Sequence, residues 1–138
     1  MQKSSIILQN RYAHPLLEKE LTDKIIGAAI EVHKTLGPGL LESSYQVCLE
    51  HESTLGKIPF EHKVKLPVNY KGIKLDVGYE IDLIYDKKVI VELKAIERVL
   101  PVHEAQLLTY LRLTGIRVGL LINFNVPVLK DGVYRRVL

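Results

Sequence analysis

The chain has 138 residues, of which 47% are hydrophobic and 25% are charged. This length fits one domain of ordinary size, and the composition is that of a globular chain rather than a disordered or fibrous one. The single cysteine, Cys48, excludes an internal disulfide, and without paired Cys/His spacing a zinc finger is excluded too. The net charge of +3 is too small to indicate a nucleic-acid partner by itself.

The small positive excess lies near the C-terminus. Residues 1–100 contain equal numbers of basic and acidic residues, so the whole excess comes from residues 101–138. A basic bias of this kind suits phosphate contact, and it also fits a solvated face. No apolar run has the length of a signal-peptide core or a membrane span. Together with the lone thiol, this predicts a cytoplasmic protein without a membrane partner.

The first third of the chain has the periodicity of helices. Apolar residues at helical spacing predict helices over about 22–36 and 40–55, separated by the helix-breaking sequence Gly37-Pro38-Gly39. We assign residues 1–19 to an N-terminal arm and residues 20–138 to a single domain.

The period then changes from 3.6 to 2. Alternating apolar residues predict strands over 60–70 and 73–85, joined by a turn at Lys71-Gly72. A turn at 86–88 leads to a further strand over 89–95. The odd-numbered residues of 73–85 are all apolar, so we expect them to face one side of a sheet.

The last third returns to a helix and then to strands. Proline opens a helix over about 101–114, Gly115 closes it, and a buried strand follows at 117–123. The tail predicts a hairpin that turns at Asp131-Gly132. This order predicts a mixed α/β (α+β) fold, in which helices flank a central mixed β-sheet and the chain ends in a β-hairpin.

The stretch that carries chemistry is 78–94. An odd-length turn makes Tyr85 face Val89, and the same register sets Asp82 opposite Glu92. Two directly opposed carboxylates repel, because their Cβ atoms are only about 5 Å apart. A divalent cation between them converts repulsion into coordination, since Mg²⁺ and Mn²⁺ prefer oxygen ligands.

Lys94 adds a cation to this pair of acids. It follows Glu92 by two residues and projects from the same face, where it can hold a water or stabilise developing negative charge. Two acids and a lysine of this kind suit metal-assisted hydrolysis of a phosphodiester. In the alternative interpretation, Asp82 and Glu92 pair with surface lysines and the Glu-x-Lys triplet belongs to a solvated strand.

These residues resemble a known signature. Asp82 followed by Glu92-Leu93-Lys94 is similar to the D…ExK pattern of the PD-(D/E)XK nuclease superfamily, although no proline precedes Asp82. Residues 39–45 read G-x-x-E-x-x-Y, the motif of the small GxxExxY protein family. Residues 106–110 read Q-x-x-x-Y, as in the lambda-exonuclease branch. The order of elements over residues 20–138 also resembles the PD-(D/E)XK nuclease-like core.

The resemblance implies a metal site. Asp82 and Glu92 would be the principal ligands of Mg²⁺ (or Mn²⁺), helped by the backbone carbonyl of Leu93. No other cofactor is implied.

The resemblance also implies a catalytic set. Lys94 would be the catalytic lysine, and Glu42, on the first core helix, would contact the metal directly or through water. Gln106 and Tyr110, one turn apart on the later helix, would orient Lys94 or a phosphate. Glu42 also fits an acid that complements a helix dipole, and Tyr45 fits a core residue.

The function implied is a Mg-dependent nuclease that hydrolyses phosphodiester bonds of nucleic acid, DNA rather than RNA. The alternative is a non-catalytic module that keeps the nuclease fold and binds nucleic acid or a protein. Because the charge is mild for an independent DNA binder, both interpretations leave room for a partner protein or a homodimer. A nucleotide-binding enzyme has no support, since the chain lacks a Gly-rich phosphate loop.

Overall fold

The computed structural model describes residues 17–138, so most of the predicted N-terminal arm at 1–19 lies outside the described residues. Three helices are named α1 (Lys19–Leu36), α2 (Glu42–Leu55) and α3 (Pro101–Thr114). Within the described part of the chain, none of the helices has the length and apolar character needed to cross a membrane. The strands are β1 (Phe60–Lys65), β2 (Val68–Tyr70), β3 (Ile73–Leu75), β4 (Glu80–Tyr85), β5 (Val89–Lys94), β6 (Val118–Asn123) and β7 (Val133–Val137).

Five strands form one mixed sheet in the order β1-β4-β5-β6-β7. β5 and β6 run parallel, whereas every other neighbouring pair in this sheet is antiparallel. A parallel pair needs a crossover connection, and α3 supplies it. α1 and α2 pack on one face of the sheet and α3 packs on the other. The predicted mixed α/β fold, with helices flanking a central sheet, is confirmed.

The turn between β4 and β5 has the predicted odd length. Tyr85 pairs with Val89 and Leu83 pairs with Val91. All four side chains are fully buried beneath α1 and α2. The apolar alternation therefore fixed the register of the central hairpin, because a slip of one residue would turn these side chains to the opposite face.

The long strand predicted over 73–85 is divided into β3 and β4, and its partner is divided into β1 and β2. Two residues account for the break. Pro67 has no N–H to donate to a sheet, and Gly78 has a φ of 77°, which a strand does not accommodate. β2 and β3 instead form a separate two-stranded hairpin around the predicted turn at Lys71-Gly72.

The apolar face predicted for the odd-numbered residues does not extend beyond this break. Ile73 and Val77 are 61% and 62% exposed. Ile81 is buried, but it packs against α3 together with Ile84 and Ile90 rather than with the α1–α2 layer. For Ile73 and Val77 the prediction was wrong because period-2 alternation does not report whether another layer covers a strand. For Ile81 it was wrong because the alternation is interrupted between Ile81 and Leu83, which pack on opposite faces of the sheet.

The C-terminal hairpin is formed by β6 and β7, which pair antiparallel. Asp131 and Gly132, predicted as the tip of a hairpin within the tail, instead end the connection as part of a 3-10 turn at Leu129–Gly132. A Cβ atom on Gly132 would lie 2.1 Å from the carbonyl oxygen of Asn123. Glycine is therefore required by a close backbone approach at the end of β6.

The close contact between Gly132 and the carbonyl of Asn123 leads to a prediction about stability. We expect Gly132→Ala to lower the free energy of unfolding by about 1–3 kcal/mol, because the backbone has to move away from Asn123. Gly27→Ala is the matched control: its Cβ would meet nothing within 4 Å in α1. It should raise the free energy of unfolding by about 0.4–1 kcal/mol. Urea unfolding of both variants measures this, and equal stability in the two would contradict the packing described.

Candidate active site

The backbone ladder between β4 and β5 stops at the pair Leu83–Val91. At the next position, Asp82 and Glu92, side-chain carboxylates accept the backbone N–H groups in place of backbone carbonyls. The N–H of Asp82 donates to Glu92 Oε1 at 3.0 Å, and the N–H of Leu93 donates to Asp82 Oδ2 at 2.8 Å. The two acids predicted to oppose each other therefore meet where the backbone pairing of the central hairpin ends.

Both acids are removed from water. Glu92 is 5% exposed and Asp82 is half-buried, and in the described part of the chain neither forms an ion pair. Burial and repulsion by Asp82 raise the pKa of Glu92 to about 8. Burial also raises the pKa of Asp82, against the hydrogen bond from Leu93, which lowers it. This burial argues against a solvated strand, and it makes the charged form of both carboxyls costly.

Glu42 is the first residue of α2 and is half-buried. Burial and the negative charge of Asp82 raise the pKa of its carboxyl, whereas the ammonium of Lys94 lowers it. The two interactions place Glu42 within electrostatic reach of the paired acids and the lysine. A carboxylate at a helix N-terminus also complements the dipole, so the two roles considered for Glu42 are compatible.

The G-x-x-E-x-x-Y sequence determines where Glu42 stands. The hydroxyl of Tyr45, a fully buried residue, donates to the carbonyl of Gly37 at 2.6 Å and accepts from the N–H of Leu40 at 3.1 Å. Gly39, between them, has a φ of 97°, a conformation that favours glycine. The tyrosine and the glycine thus fix the loop that ends where α2 and Glu42 begin.

Lys94 is held by a chain of hydrogen bonds from α3. Its Nζ donates to Gln106 Oε1 at 3.3 Å, and Gln106 Nε2 donates to Tyr110 Oη at 3.1 Å. Burial and the nearby charge of Glu92 raise the pKa of Tyr110, which keeps its hydroxyl protonated. The structure thus brings Lys94, Gln106 and Tyr110 together as one connected group beside the acids.

Sequence reasoning missed Gln46, one turn after Glu42 on α2. Gln46 is 7% exposed, and its Nε2 donates to the backbone carbonyl of Asp82 at 3.0 Å. It therefore fastens α2 to β4 at the residue that carries the first acid. The sequence feature that could have identified Gln46 is its place as an uncharged polar residue on the apolar stripe of a helix, four positions after the candidate acid Glu42.

Asn123, at the end of β6, was also missed. It lies opposite Lys94 in the parallel register and is 2% exposed. Its Oδ1 accepts from the N–H of Ile96 at 3.1 Å, and its Nδ2 donates to the carbonyl of Ile96 at 3.0 Å. This amide fixes the segment just after Lys94. The sequence feature that could have identified Asn123 is its place as the polar residue that ends an apolar run.

The donor set fits a small divalent cation. Within residues 17–138, no three Asp, Glu, His or Cys side chains converge closely enough to hold a metal ion alone. Mg²⁺ does not need such a cage, because it keeps several waters and usually takes one or two carboxylates plus substrate phosphate oxygens. Asp82 and Glu92 offer two carboxylates whose repulsion a cation would relieve, and the carboxyl of Glu42 interacts electrostatically with both acids.

The raised pKa values predict how stability depends on pH without metal. An unfolded Glu92 has a pKa near 4.5, and the folded residue has one of about 8. Between these values the folded state keeps a proton that the unfolded state loses, so raising the pH favours unfolding. Asp82 and Glu42 act in the same direction.

We therefore expect the free energy of unfolding in EDTA to fall by more than about 1 kcal/mol between pH 5 and pH 8. Glu92→Gln keeps an acceptor for the Asp82 N–H but cannot ionise, so its decline should be much smaller. Urea unfolding at several pH values measures both. The same decline in the wild type and in Glu92→Gln would contradict the electrostatic account.

Comparison with known proteins gives one family. No curated protein matches the chain, and no solved structure matches it. A family model described as PD-(D/E)XK nuclease superfamily matches residues 19–137, which include every candidate site residue. The chain therefore belongs to the PD-(D/E)XK nuclease superfamily.

Proposed function

We propose that the protein is a divalent-metal-dependent nuclease that hydrolyses phosphodiester bonds of nucleic acid, with DNA preferred over RNA. One observation carries this proposal: a buried and a half-buried carboxylate adjoin a lysine that donates to Gln106, at the end of the central hairpin. We also assign the chain to the GxxExxY group on residues 39–45, whose glycine and tyrosine fix the start of α2.

The proposed roles begin with the acids. Asp82 and Glu92 hold Mg²⁺ or Mn²⁺, with the carbonyl of Leu93 as a further ligand and Glu42 acting directly or through water. The chemistry that a cation would supply there is polarisation of the scissile phosphate and a lower pKa for a bound water. To bind it, Glu92 has to lose a proton, which the protein retains up to a pH of about 8 in the cation's absence.

Lys94 contributes a positive charge next to these acids. Its ammonium stabilises the negative charge that develops on the phosphate, or holds the attacking water. Gln106 restricts the lysine to one position, and Tyr110 restricts Gln106 in turn. Tyr110 and Gln106 are thus proposed as residues that orient Lys94 or a phosphate.

A second candidate is a non-catalytic module that binds nucleic acid or a protein through the same fold. One observation favours it: the net charge is only +3, which is small for a protein that binds nucleic acid by itself. A second copy of the chain or a partner protein would then supply part of the surface that binds nucleic acid. The presence of Asp82, Glu92, Lys94 and Gln106 together favours the nuclease.

The nuclease proposal predicts the effect of single substitutions on cleavage. Plasmid and oligonucleotide substrates should be cut with Mg²⁺ or Mn²⁺ but not with EDTA. Lys94→Ala and Glu92→Ala should each lower the cleavage rate by at least about 100-fold, because charge stabilisation or metal binding is lost. Lys88→Ala is the control, since Lys88 is exposed in the turn at the opposite end of β5. Full activity in Lys94→Ala would refute the assignment.

Metal binding separates the two candidates without any substrate. We expect titration calorimetry with Mn²⁺ at pH 8 to show one binding event in the wild type. Asp82→Asn and Glu92→Gln should weaken it at least about tenfold, because each removes one charged ligand. Glu61→Gln, an exposed acid on β1, is the matched control. Absence of Mn²⁺ binding in the wild type would favour the non-catalytic module.

A further inference from the structure

A two-stranded extension projects from the sheet next to the candidate site. It comprises residues 63–79, contains the β2–β3 hairpin, and is called the wing below. The N–H of Leu66 donates to the carbonyl of Tyr79 at 2.9 Å, which joins the wing to the β1–β4 pair. The wing is therefore a continuation of the strand that carries Asp82.

The wing carries exposed positive charge. It contains a single acid, Asp76, against several lysines, and none of these lysines forms an ion pair within residues 17–138. The exposed lysines are Lys63, Lys65, Lys71 and Lys74. Lysines of this kind are available to contact phosphates.

Three of the five C-terminal basic residues are used within the fold, Arg135 among them, whereas Arg112 and Lys130 are exposed. Arg136 pairs with Glu104 of α3, and the Nε of Arg117 donates to the carbonyl of Leu138. These side chains are used within the fold. The wing is thus the better place for contact with an anionic polymer.

The wing also exposes aromatic and aliphatic side chains. Tyr70 and Tyr79 are 58% and 46% exposed, and Ile73 and Val77 are more exposed still. The ammonium of Lys71 lies 5.4 Å from the centre of the Tyr70 ring. Exposed aromatic rings interleaved with lysines are typical of surfaces that bind single-stranded nucleic acid.

Two features connect the wing to the paired acids. Lys63 stands opposite Asp82 in the β1–β4 register, between two formed pairs, and its φ of 48° is unusual for a residue with a side chain. Lys65, Lys74 and Tyr79 line one cleft of about 290 Å³. Asp76 lines the same cleft, and Lys65 lies two residues along β1 from Lys63, so the cleft adjoins the part of the β1–β4 pair that contains Asp82.

We propose that the wing binds a single-stranded segment of nucleic acid and leads it to Asp82 and Glu92. Its lysines contact phosphates, and Tyr70 and Tyr79 stack on bases. A duplex is the poorer occupant because its base faces are already stacked on one another, whereas the tyrosine rings need free faces. This inference rests on the proposed nuclease function and adds its substrate class.

Binding measured in EDTA tests the inference apart from catalysis. The probe is a fluorescent 20-nucleotide single strand, read by anisotropy, with hairpin duplex DNA of the same length and an RNA strand for comparison. The triple variant Lys65→Ala, Lys71→Ala, Lys74→Ala should bind the single strand at least about tenfold more weakly. Its slope of log affinity against log salt should fall by about 2.

The matched control removes the same charge elsewhere. Lys57→Ala, Lys87→Ala, Lys88→Ala removes three exposed lysines around the turn at the opposite end of β4, and Lys57 and Lys87 form no ion pair within residues 17–138. This control should change affinity less than about threefold. Equal weakening in both triple variants would mean that binding follows net charge alone, and it would overturn the inference.

The tyrosines test the single-strand preference. Tyr70→Leu and Tyr79→Leu keep apolar area but remove the ring, and each should weaken single-strand binding about tenfold while hardly affecting duplex. Equal wild-type affinity for duplex and single strand, with no effect of either substitution, would overturn the inference. A dimer formed through the wing would also overturn the inference. Sedimentation would show such a dimer, Ile73→Ser would dissociate it, and the oligonucleotide would not.

The two proposals fail separately. If the wing variants bind normally while Lys94→Ala abolishes cutting, the nuclease stands and the wing inference falls. If the wing variants lose binding but the wild type never cuts, the wing stands as a binding surface and the nuclease assignment falls.

Discussion

The candidate site depends on one interaction: two carboxylates replace the backbone ladder where β4 and β5 stop pairing. Each acid accepts an N–H from the facing strand, so the hydrogen-bonding groups of Asp82 and Leu93 stay satisfied although the ladder has ended. The cost is that a charge on Glu92 would be held away from water and beside Asp82, so the pKa of Glu92 is raised to about 8. A structure built for stability alone has no need of this arrangement, whereas a cation site does.

The rest of the fold can be understood as support for these two acids. Gln46 ties α2 to the carbonyl of Asp82, and Asn123 clamps the chain just after Lys94. The loop at 37–41, held by the Tyr45 hydroxyl, sets the start of α2, and α3 restrains Lys94 through Gln106. The elements on both faces of the sheet therefore converge on one end of the central hairpin, which is why a chain of 138 residues can build such a site.

The sequence predicted most of the fold because its patterns were local. Alternation and an odd turn length fixed the β4–β5 register and thereby set Asp82 against Glu92. The break at Pro67 and Gly78 went unrecognised, since alternation continues through it and carries no information on covering layers. Gln46 and Asn123 were missed because their partners are backbone groups of distant residues, which no local pattern encodes. The prediction that Ile73, Val77 and Tyr79 face the core was wrong, and these apolar residues instead form the exposed surface of the wing.

The central claim is that a divalent cation relieves the repulsion between Asp82 and Glu92. Anomalous diffraction from crystals soaked in Mn²⁺ at pH 8 tests it most directly. The account predicts a manganese peak between the two carboxylates, with Lys94 beside it. Crystals saturated with Mn²⁺ that show no peak there, with both carboxylates still bonded to the N–H groups of Asp82 and Leu93, would contradict it.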